Sequence, residues 1–350
     1  MKKLFFTILG MSLAILSNAQ ENHAVFLHHS TGGNVYSEGN VPEWISDYNL
    51  GNGTDFSIEE RSYPDSPWGW SNYAYDYWKL WIDGSCDNVQ PGIECIGSIA
   101  EGCELVIFKH CFPGASIGAN TGNPDVSSSS QTIENYQAQY RALRQMMDTM
   151  PETKFMLWTL APLHRLSTSA DVAARAGEFV DWVKNDFLTE DSQDHPNIYI
   201  FDFFGLVAEQ SASPTNGVQY CLKYEYERSH DGDDSHPNTA ANEYAGPHFA
   251  RAVVNALGGD AGTAINEPDF ENELQLFPNP VGQNLSVLAP GVSPLQNFQV
   301  FTLDGRLIKQ FEPNAEGVYD VSFLGEGMYL LKVVSNGKLV SKPFIRANNQ

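Results

Sequence analysis

Residues 25–34 read VFLHHSTGGN, and this stretch decides how the rest of the chain is interpreted. An apolar run ends abruptly at His28, His29 and Ser30 and is followed by small residues that turn easily. The pattern is typical of a buried strand that delivers a side chain to the edge of a sheet. Ligands of open α/β sheets bind in the crevice outside the carboxyl ends of the strands, so Ser30 is a candidate nucleophile.

Strand-like and helix-like segments alternate downstream of this stretch, as expected of a doubly wound parallel sheet with helices on both faces. The predicted strands are residues 56–63, 104–108, 154–160 and 197–203. The predicted helices are residues 72–82, 132–150, 171–187 and a last one that reaches Leu257, which Gly246-Pro247 should kink or interrupt. Because crossovers are right-handed, Ser30, Lys109-His110 and the loop after Leu160 should share one sheet edge.

The pattern of predicted secondary structure changes near residue 274. Short alternating segments then follow one another without helices, and Ser335-Asn336-Gly337-Lys338 is a strong hairpin signal. We therefore predict an α/β domain over residues 22–259, a linker over 260–273 and a small all-β sandwich over 274–350.

The N-terminus and the net charge limit the classes of function. Lys2-Lys3, an apolar run and Ser17-Asn18-Ala19 predict a signal peptide over residues 1–19, and hence a secreted or surface-attached protein that passes through the periplasm. The net charge of -23 argues against nucleic acid as a partner. No internal stretch approaches the roughly 18 apolar residues of a membrane span.

Export allows disulfides to persist among the five cysteines. Cys86 with Cys95, and Cys103 with Cys111, are close enough in sequence to pair, although four clustered cysteines allow three connectivities. A cysteine nucleophile at Cys111 is the alternative reading, and an oxidising compartment disfavours it.

Serine-based acyl transfer needs an imidazole base, an acid that orients it and donors for the oxyanion. His236 lies three residues after Asp233, in a loop before a helix. We expect Ser30 as nucleophile, His236 as base and Asp233 as the acid, with Asp231 and Asp234 as alternatives for the acid.

In this order and in this fold, these residues resemble the SGNH/GDSL hydrolases over residues 25–257. His28-His29-Ser30-Thr31-Gly32 stands where that family has its Gly-Asp-Ser motif, and residues 233–238 match its last block. The resemblance implies a flavodoxin-like sheet and a serine ester hydrolase that works without a cofactor or a metal.

The oxyanion blocks of the family are poorly matched. Gly69 is a candidate for the first donor, but Lys109-His110-Cys111 replaces the Gly-x-Asn of the second. Lys109 or His110 is then expected to act electrostatically. The alternative is a non-catalytic, surface glycan-binding protein on a degenerate hydrolase scaffold.

Three other side chains are candidates for substrate contacts. His29 is expected near the cleft, while Trp68 and Trp70, in a loop, are expected to stack on a sugar. A metal site at His28 and His29 would need further ligands, so we predict none.

The C-terminal segment resembles the type A sorting domain of the type IX secretion system of Bacteroidetes. The resemblance rests on the motifs at residues 277–280, 300–306 and 327–333. It implies contact with the secretion machinery, export across both membranes and removal of the domain at the cell surface.

Together these features predict a secreted esterase that removes acetyl or other acyl groups from an extracellular polysaccharide.

Overall fold

The computed structural model describes residues 22–65, 68–69, 73–88, 93–214, 217–261, 275–288, 296–302, 306–311, 317–335 and 338–347. The predicted signal peptide and most of the predicted linker lie outside these residues. The chain divides into two compact units, residues 1–266 and 267–350.

The first unit is built on five parallel strands, which confirms the predicted parallel α/β sheet. The strands are β1 (His23–His28), β2 (Ser57–Ser62), β3 (Leu105–Phe108), β4 (Lys154–Trp158) and β5 (Ile198–Phe201). Their spatial order is β2-β1-β3-β4-β5, the order of flavodoxin-like folds. The order reverses between β1 and β3, so the crevice of this topology opens at the end of β1.

Helices cover both faces of the sheet. They are α1 (Ser30–Glu38), α2 (Val41–Asn52), α3 (Ala74–Trp81), α4 (Ser85–Asn88), α5 (Ile96–Glu101), α6 (Ile133–Asp148), α7 (Ala170–Asn185), α8 (Phe203–Val207) and α9 (Thr239–Ala256). Short 3₁₀ turns span Phe112–Ala115 and Tyr224–Tyr226. Alternate residues of β1 pack into two separate cores, Val25 and Leu27 into one and Ala24 and Phe26 into the other. This two-sided burial explains why the strand reads as a continuous apolar run.

The expected interruption of the last helix is wrong. Helix α9 runs unbroken through Pro247. Its glycine at 246 lies directly against Gly39, so that a Cβ atom there would overlap the Gly39 carbonyl oxygen. We infer that the close packing of α9 against Gly39 stabilises the helix enough to offset the backbone hydrogen bond that is lost at Pro247.

The cysteines pair only in part as expected. Cys86 and Cys95 form a disulfide, whereas Cys103, Cys111 and Cys221 are buried thiols outside that disulfide. Cys103 precedes β3 and Cys111 follows it, so a strand of four residues, roughly 13 Å long, separates them. A disulfide requires Cα atoms within about 7 Å, which rules out the Cys103–Cys111 pair.

The second unit consists of two antiparallel sheets. One has the order β10-β7-β6 and the other the order β12-β11-β8-β9. The strands are β6 (Gln275–Phe277), β7 (Asn284–Leu288), β8 (Gln296–Thr302), β9 (Leu307–Phe311), β10 (Val318–Asp320), β11 (Gly327–Ser335) and β12 (Lys338–Arg346). Ser335 lies opposite Lys338, in the register of the predicted hairpin, whose residues 336–337 lie outside the described residues.

Side chains from both sheets share one core, in which Leu285 of β7 and Val300 of β8 are fully buried. This shared core makes the unit a small sandwich. Within the residues that the structure describes, no helix has the length and apolarity needed to cross a membrane.

Candidate active site

Ser30 lies where the topology places a ligand. It is the first residue of α1, two positions after the end of β1, and it is exposed. The Gly32 N–H donates to the His29 carbonyl oxygen at 2.8 Å and tightens this first turn. The first turn of a helix leaves backbone N–H groups without intrahelical acceptors, and these lie beside the serine.

His236 is the side chain that reaches Ser30. Its Nε2 lies 2.8 Å from Ser30 Oγ, although the two residues are 206 positions apart. The Phe112 ring packs edge-on against the imidazole, with the ring centroids 4.8 Å apart. The imidazole thus contacts the Phe112 ring as well as the Ser30 hydroxyl.

Asp234, not Asp233, contacts the imidazole. Asp234 Oδ1 lies 2.5 Å from His236 Nδ1 and accepts the His236 backbone N–H at 3.0 Å. Asp233 instead uses its backbone carbonyl oxygen, which accepts a hydrogen bond from the Ser167 hydroxyl. The carboxylate on the ring is thus that of Asp234, one of the two alternatives for the acid, rather than that of Asp233.

Arg228 supports this carboxylate. Its Nη1 lies 3.6 Å from Asp234 Oδ2, and its Nη2 lies 2.7 Å from the Asn34 amide oxygen when that amide is oriented to satisfy both partners. Burial alone would raise the pKa of Asp234. The hydrogen bonds from His236 and the charges of His236 and Arg228 outweigh burial and lower that pKa, so the carboxylate stays ionised.

The loop after β4 fixes the loop that carries His236. The His164 N–H donates to Ser235 Oγ at 2.9 Å. The buried Glu227 carboxylate lies 3.2 Å from His164 Nε2, 3.0 Å from Arg165 Nε and 2.9 Å from His230 Nδ1. The sequence alone marks none of the contacts of His164 and Arg165, since each joins residues of two distant loops.

Lys109 lies beneath α1 rather than in the cleft. It is 1% exposed, and a Cβ atom on Gly32 would come 2.9 Å from its Cδ. Burial lowers the pKa of its amine. It can influence the site through its charge, but its buried position leaves no room for direct contact with a substrate.

His110 is a core residue. Its ring packs against Tyr77, Phe108 and Tyr140 at centroid distances of 5.2, 6.4 and 5.4 Å. Burial, aided by the charge of Lys109, lowers its pKa to about 3. The imidazole is therefore neutral and lies in the core, an environment that does not favour the electrostatic role expected of it.

His28 and His29 face different neighbours. His28 Nε2 lies 2.9 Å from Glu60 Oε2, and His29 Nδ1 lies 3.3 Å from Ser62 Oγ. Burial, followed by the charge of Lys109, lowers both pKa values to about 4, so both rings are neutral. His29 precedes Ser30 in the chain, but its Nδ1 points to Ser62 of β2.

Two of the three loop candidates, Gly69 and Trp68, lie within the described residues. Gly69 is exposed, with no described heavy atom beyond its chain neighbours within 4 Å of its Cβ position. Trp68 is half-buried against the core and donates its indole N–H to Asp76 at 3.1 Å. Trp70 lies outside the described residues.

The structure brings Cys111 to the site instead. Its Sγ lies 3.6 Å from Ser30 Oγ and 3.7 Å from Thr31 Oγ1. The sequence gives one indication of this position, because Cys111 comes shortly after the apolar run of β3. The structure adds that β3 pairs with β1, the strand that ends just before Ser30. Within the described residues, no group of three or more His, Cys, Asp or Glu side chains is arranged to hold a metal ion.

Comparisons with known proteins bear on the two units unequally. Among curated proteins, none matches the sequence significantly. A Streptococcus pneumonia structure described as a platelet activating factor is 12% identical, with 69% of this chain and 85% of that chain covered and a TM-score of 0.35. BT4096, a gut microbial diltiazem-metabolizing enzyme, is 12% identical over 87% of this chain and 73% of that one, with a TM-score of 0.35.

A double mutant of an endo-beta-1,4-mannanase from Cellulomonas fimi is more distant. It is 10% identical over 71% of this chain and 48% of that one, with a TM-score of 0.21. None of these similarities is high enough to carry an argument about fold or function.

The C-terminal match is direct. Residues 275–346 match the secretion system C-terminal sorting domain. This match indicates export by the type IX system to the cell surface or the extracellular space. The second unit is therefore a sorting domain.

Proposed function

We propose that the first unit is a secreted serine ester hydrolase of the SGNH type that forms an acyl-enzyme on Ser30. The observation that carries this proposal is the chain of contacts from Ser30 Oγ to His236 Nε2 at 2.8 Å and from His236 Nδ1 to Asp234 at 2.5 Å. A nucleophile, a base and an orienting acid in hydrogen-bond sequence are what acyl transfer by serine requires.

The reaction follows from these positions. Ser30 Oγ attacks the ester carbonyl carbon while His236 Nε2 accepts the hydroxyl proton, and Asp234 holds the opposite ring nitrogen. The imidazolium then donates its proton to the departing alkoxide, which leaves the acyl group on Ser30. A water molecule, deprotonated by His236, completes the cycle by the same steps.

Oxyanion stabilisation is assigned to the first turn of α1. Backbone N–H groups at a helix start point toward the position of the nucleophile, and the helix dipole favours negative charge there. The buried ammonium of Lys109 lies below the same turn and adds to this potential. Neither contribution needs the Gly-x-Asn block that this chain lacks.

The preferred substrate is an O-acylated extracellular polysaccharide. Export to the cell surface supports this choice, since the natural esters met there include acylated glycans. The net charge of -23 favours a neutral chain over a polyanion.

The test compares Ser30→Ala and His236→Gln with wild type on an activated acetyl ester. Each substitution should lower kcat/KM by at least about a thousandfold, since removal of either group abolishes nucleophilic attack. Ser37→Ala, on the same helix, and His248→Gln, on α9, are matched controls and should stay near wild type. An inactive wild type that binds glycans would instead identify a binding protein on a hydrolase scaffold.

A further inference from the structure

A buried thiol that the proposed mechanism does not use lies directly beside Ser30. Cys111 Sγ is 3.6 Å from Ser30 Oγ and 3.7 Å from Thr31 Oγ1. The thiol belongs to no disulfide, and the residue keeps 6% of its surface exposed. Because Ser30 itself is exposed, a small reagent that reaches its hydroxyl is also within reach of this sulfur.

A buried cation accompanies the thiol. Lys109 is 1% exposed, and its Nζ has no hydrogen-bond acceptor among the described residues. Burial of Cys111 would raise the pKa of its thiol. The charge of Lys109, with hydrogen bonds from Ser30, Thr31 and the Phe112 N–H, outweighs burial and lowers that pKa. Burial penalises the ammonium form of Lys109, and Cys111 opposes that effect, so an ammonium at Lys109 and a thiolate at Cys111 favour each other.

The thiols of Cys103 and Cys221 provide internal controls. Cys103 is 1% exposed, donates to the Ile99 carbonyl oxygen at 3.4 Å, and has a pKa raised to about 11 by burial. Cys221 is fully buried, and its Sγ lies 3.1 Å from the Val218 carbonyl oxygen. Thiolate character and access both control cysteine reactivity, so both features separate Cys111 from Cys103.

We propose that Cys111 is a covalent modification site, at which small extracellular disulfides form a mixed disulfide that blocks the hydroxyl of Ser30. The modification itself is independent of the proposed hydrolase activity; its consequence for catalysis rests on that proposed function. The proposed ester hydrolysis does not use this thiol. The charge of the neighbouring Lys109 is the feature that activates it.

The step is an ordinary thiol–disulfide exchange. The Cys111 thiolate attacks one sulfur of a disulfide R–S–S–R, forms the bond Cys111–S–S–R and releases R–S⁻, which takes up the proton that the thiol lost. A thiol reductant reverses the reaction. The added group is attached to a sulfur 3.6 Å from Ser30 Oγ, so we expect it to occupy the space that an ester carbonyl would need.

The first measurement is site-resolved labelling of the folded, full-length protein with methyl methanethiosulfonate at pH 7. Peptide mass spectrometry should find Cys111 modified at least about tenfold faster than Cys103 or Cys221, since each unit of thiol pKa changes the thiolate fraction about tenfold. Labelling of Cys111 no faster than of these two thiols would overturn the proposal.

The second measurement asks whether modification blocks the serine. Labelled wild type should lose ester hydrolysis and fluorophosphonate labelling of Ser30 in proportion to Cys111 modification, and a thiol reductant should restore both. Cys111→Ser is the matched variant, and its own activity should not change on treatment. Full Cys111 modification with an unhindered Ser30 would contradict the blocking role.

Two further variants separate the proposals. Ser30→Ala should still be modified at Cys111, so labelling remains measurable if the hydrolase proposal fails. Lys109→Met keeps the buried stem and removes the charge; the pH of half-maximal labelling should shift upward, and the rate at pH 7 should fall several-fold. An unchanged pH profile in Lys109→Met would overturn the role of the cation.

Discussion

Asp233 and Asp234 are chemically identical neighbours with different positions. Asp234 Oδ1 contacts His236 Nδ1, whereas Asp233 offers its backbone carbonyl oxygen to Ser167. The choice between them depends on one turn of a loop, which is held by the contact of His164 with Ser235. At the scale of single residues, the site is therefore set by loop conformation rather than by residue type.

Substitution of the two aspartates tests this assignment. Asp234→Asn keeps the volume but removes the charge that fixes the tautomer of His236, and kcat should fall about a hundredfold or more. Asp233→Asn makes the same chemical change one position away and should stay within about twofold of wild type. Equal losses in both variants, measured as kcat on an activated acetyl ester, would contradict the assignment of Asp234.

Helices α1 and α9 are the elements that hold the two halves of the site together. Helix α1 begins at Ser30, and α9 begins three residues after His236. The two meet where Gly246 lies against Gly39, close enough that neither position has space for a methyl group. The separation of serine and histidine is thus set by a contact between backbones.

A methyl group at this contact should destabilise the fold. Gly246→Ala should lower the free energy of unfolding by about 1–3 kcal/mol, the usual cost of overpacking. At about 2–4 °C per kcal/mol, the melting temperature should fall by several degrees. Gly97→Ala in α5, where no described atom lies near the Cβ position, should leave the melting temperature unchanged or raise it. A Gly246→Ala variant as stable as wild type would exclude the tight contact.

At the scale of the whole molecule, the two units have separate roles. The first unit contains Ser30, His236 and Asp234, and the second matches a secretion sorting domain over residues 275–346. No residue of the proposed mechanism lies in the second unit.

Deletion of residues 274–350 should trap the protein in the periplasm, because the signal read by the outer-membrane machinery is lost. Fractionation of the producing cells, followed by immunodetection, measures the distribution. The full-length Ser30→Ala variant is the control and should reach the surface normally. Surface delivery of the truncated chain would show that residues 274–350 are not needed for export.

Much of this organisation is local in origin and could be predicted from the sequence. Continuous apolar runs and alternating or amphipathic periods depend on a few adjacent residues, so they predicted β1 to β5 and helices α3, α6, α7 and α9. Ser30 at the end of β1 and the sorting motifs were visible for the same reason. Helices α1 and α2 were missed because their sequences contain several glycines and asparagines, which have low helix propensity. Tertiary packing overrides that low propensity in the folded protein.

The details of the site depend on tertiary packing. It selected Asp234, placed His110 in an aromatic core and left Cys103 and Cys111 unpaired at opposite ends of β3. It also brought the Cys111 thiol to 3.6 Å from Ser30 Oγ. These outcomes depend on which side of a strand or loop each residue faces once distant segments pack, and no local period in the sequence encodes that choice.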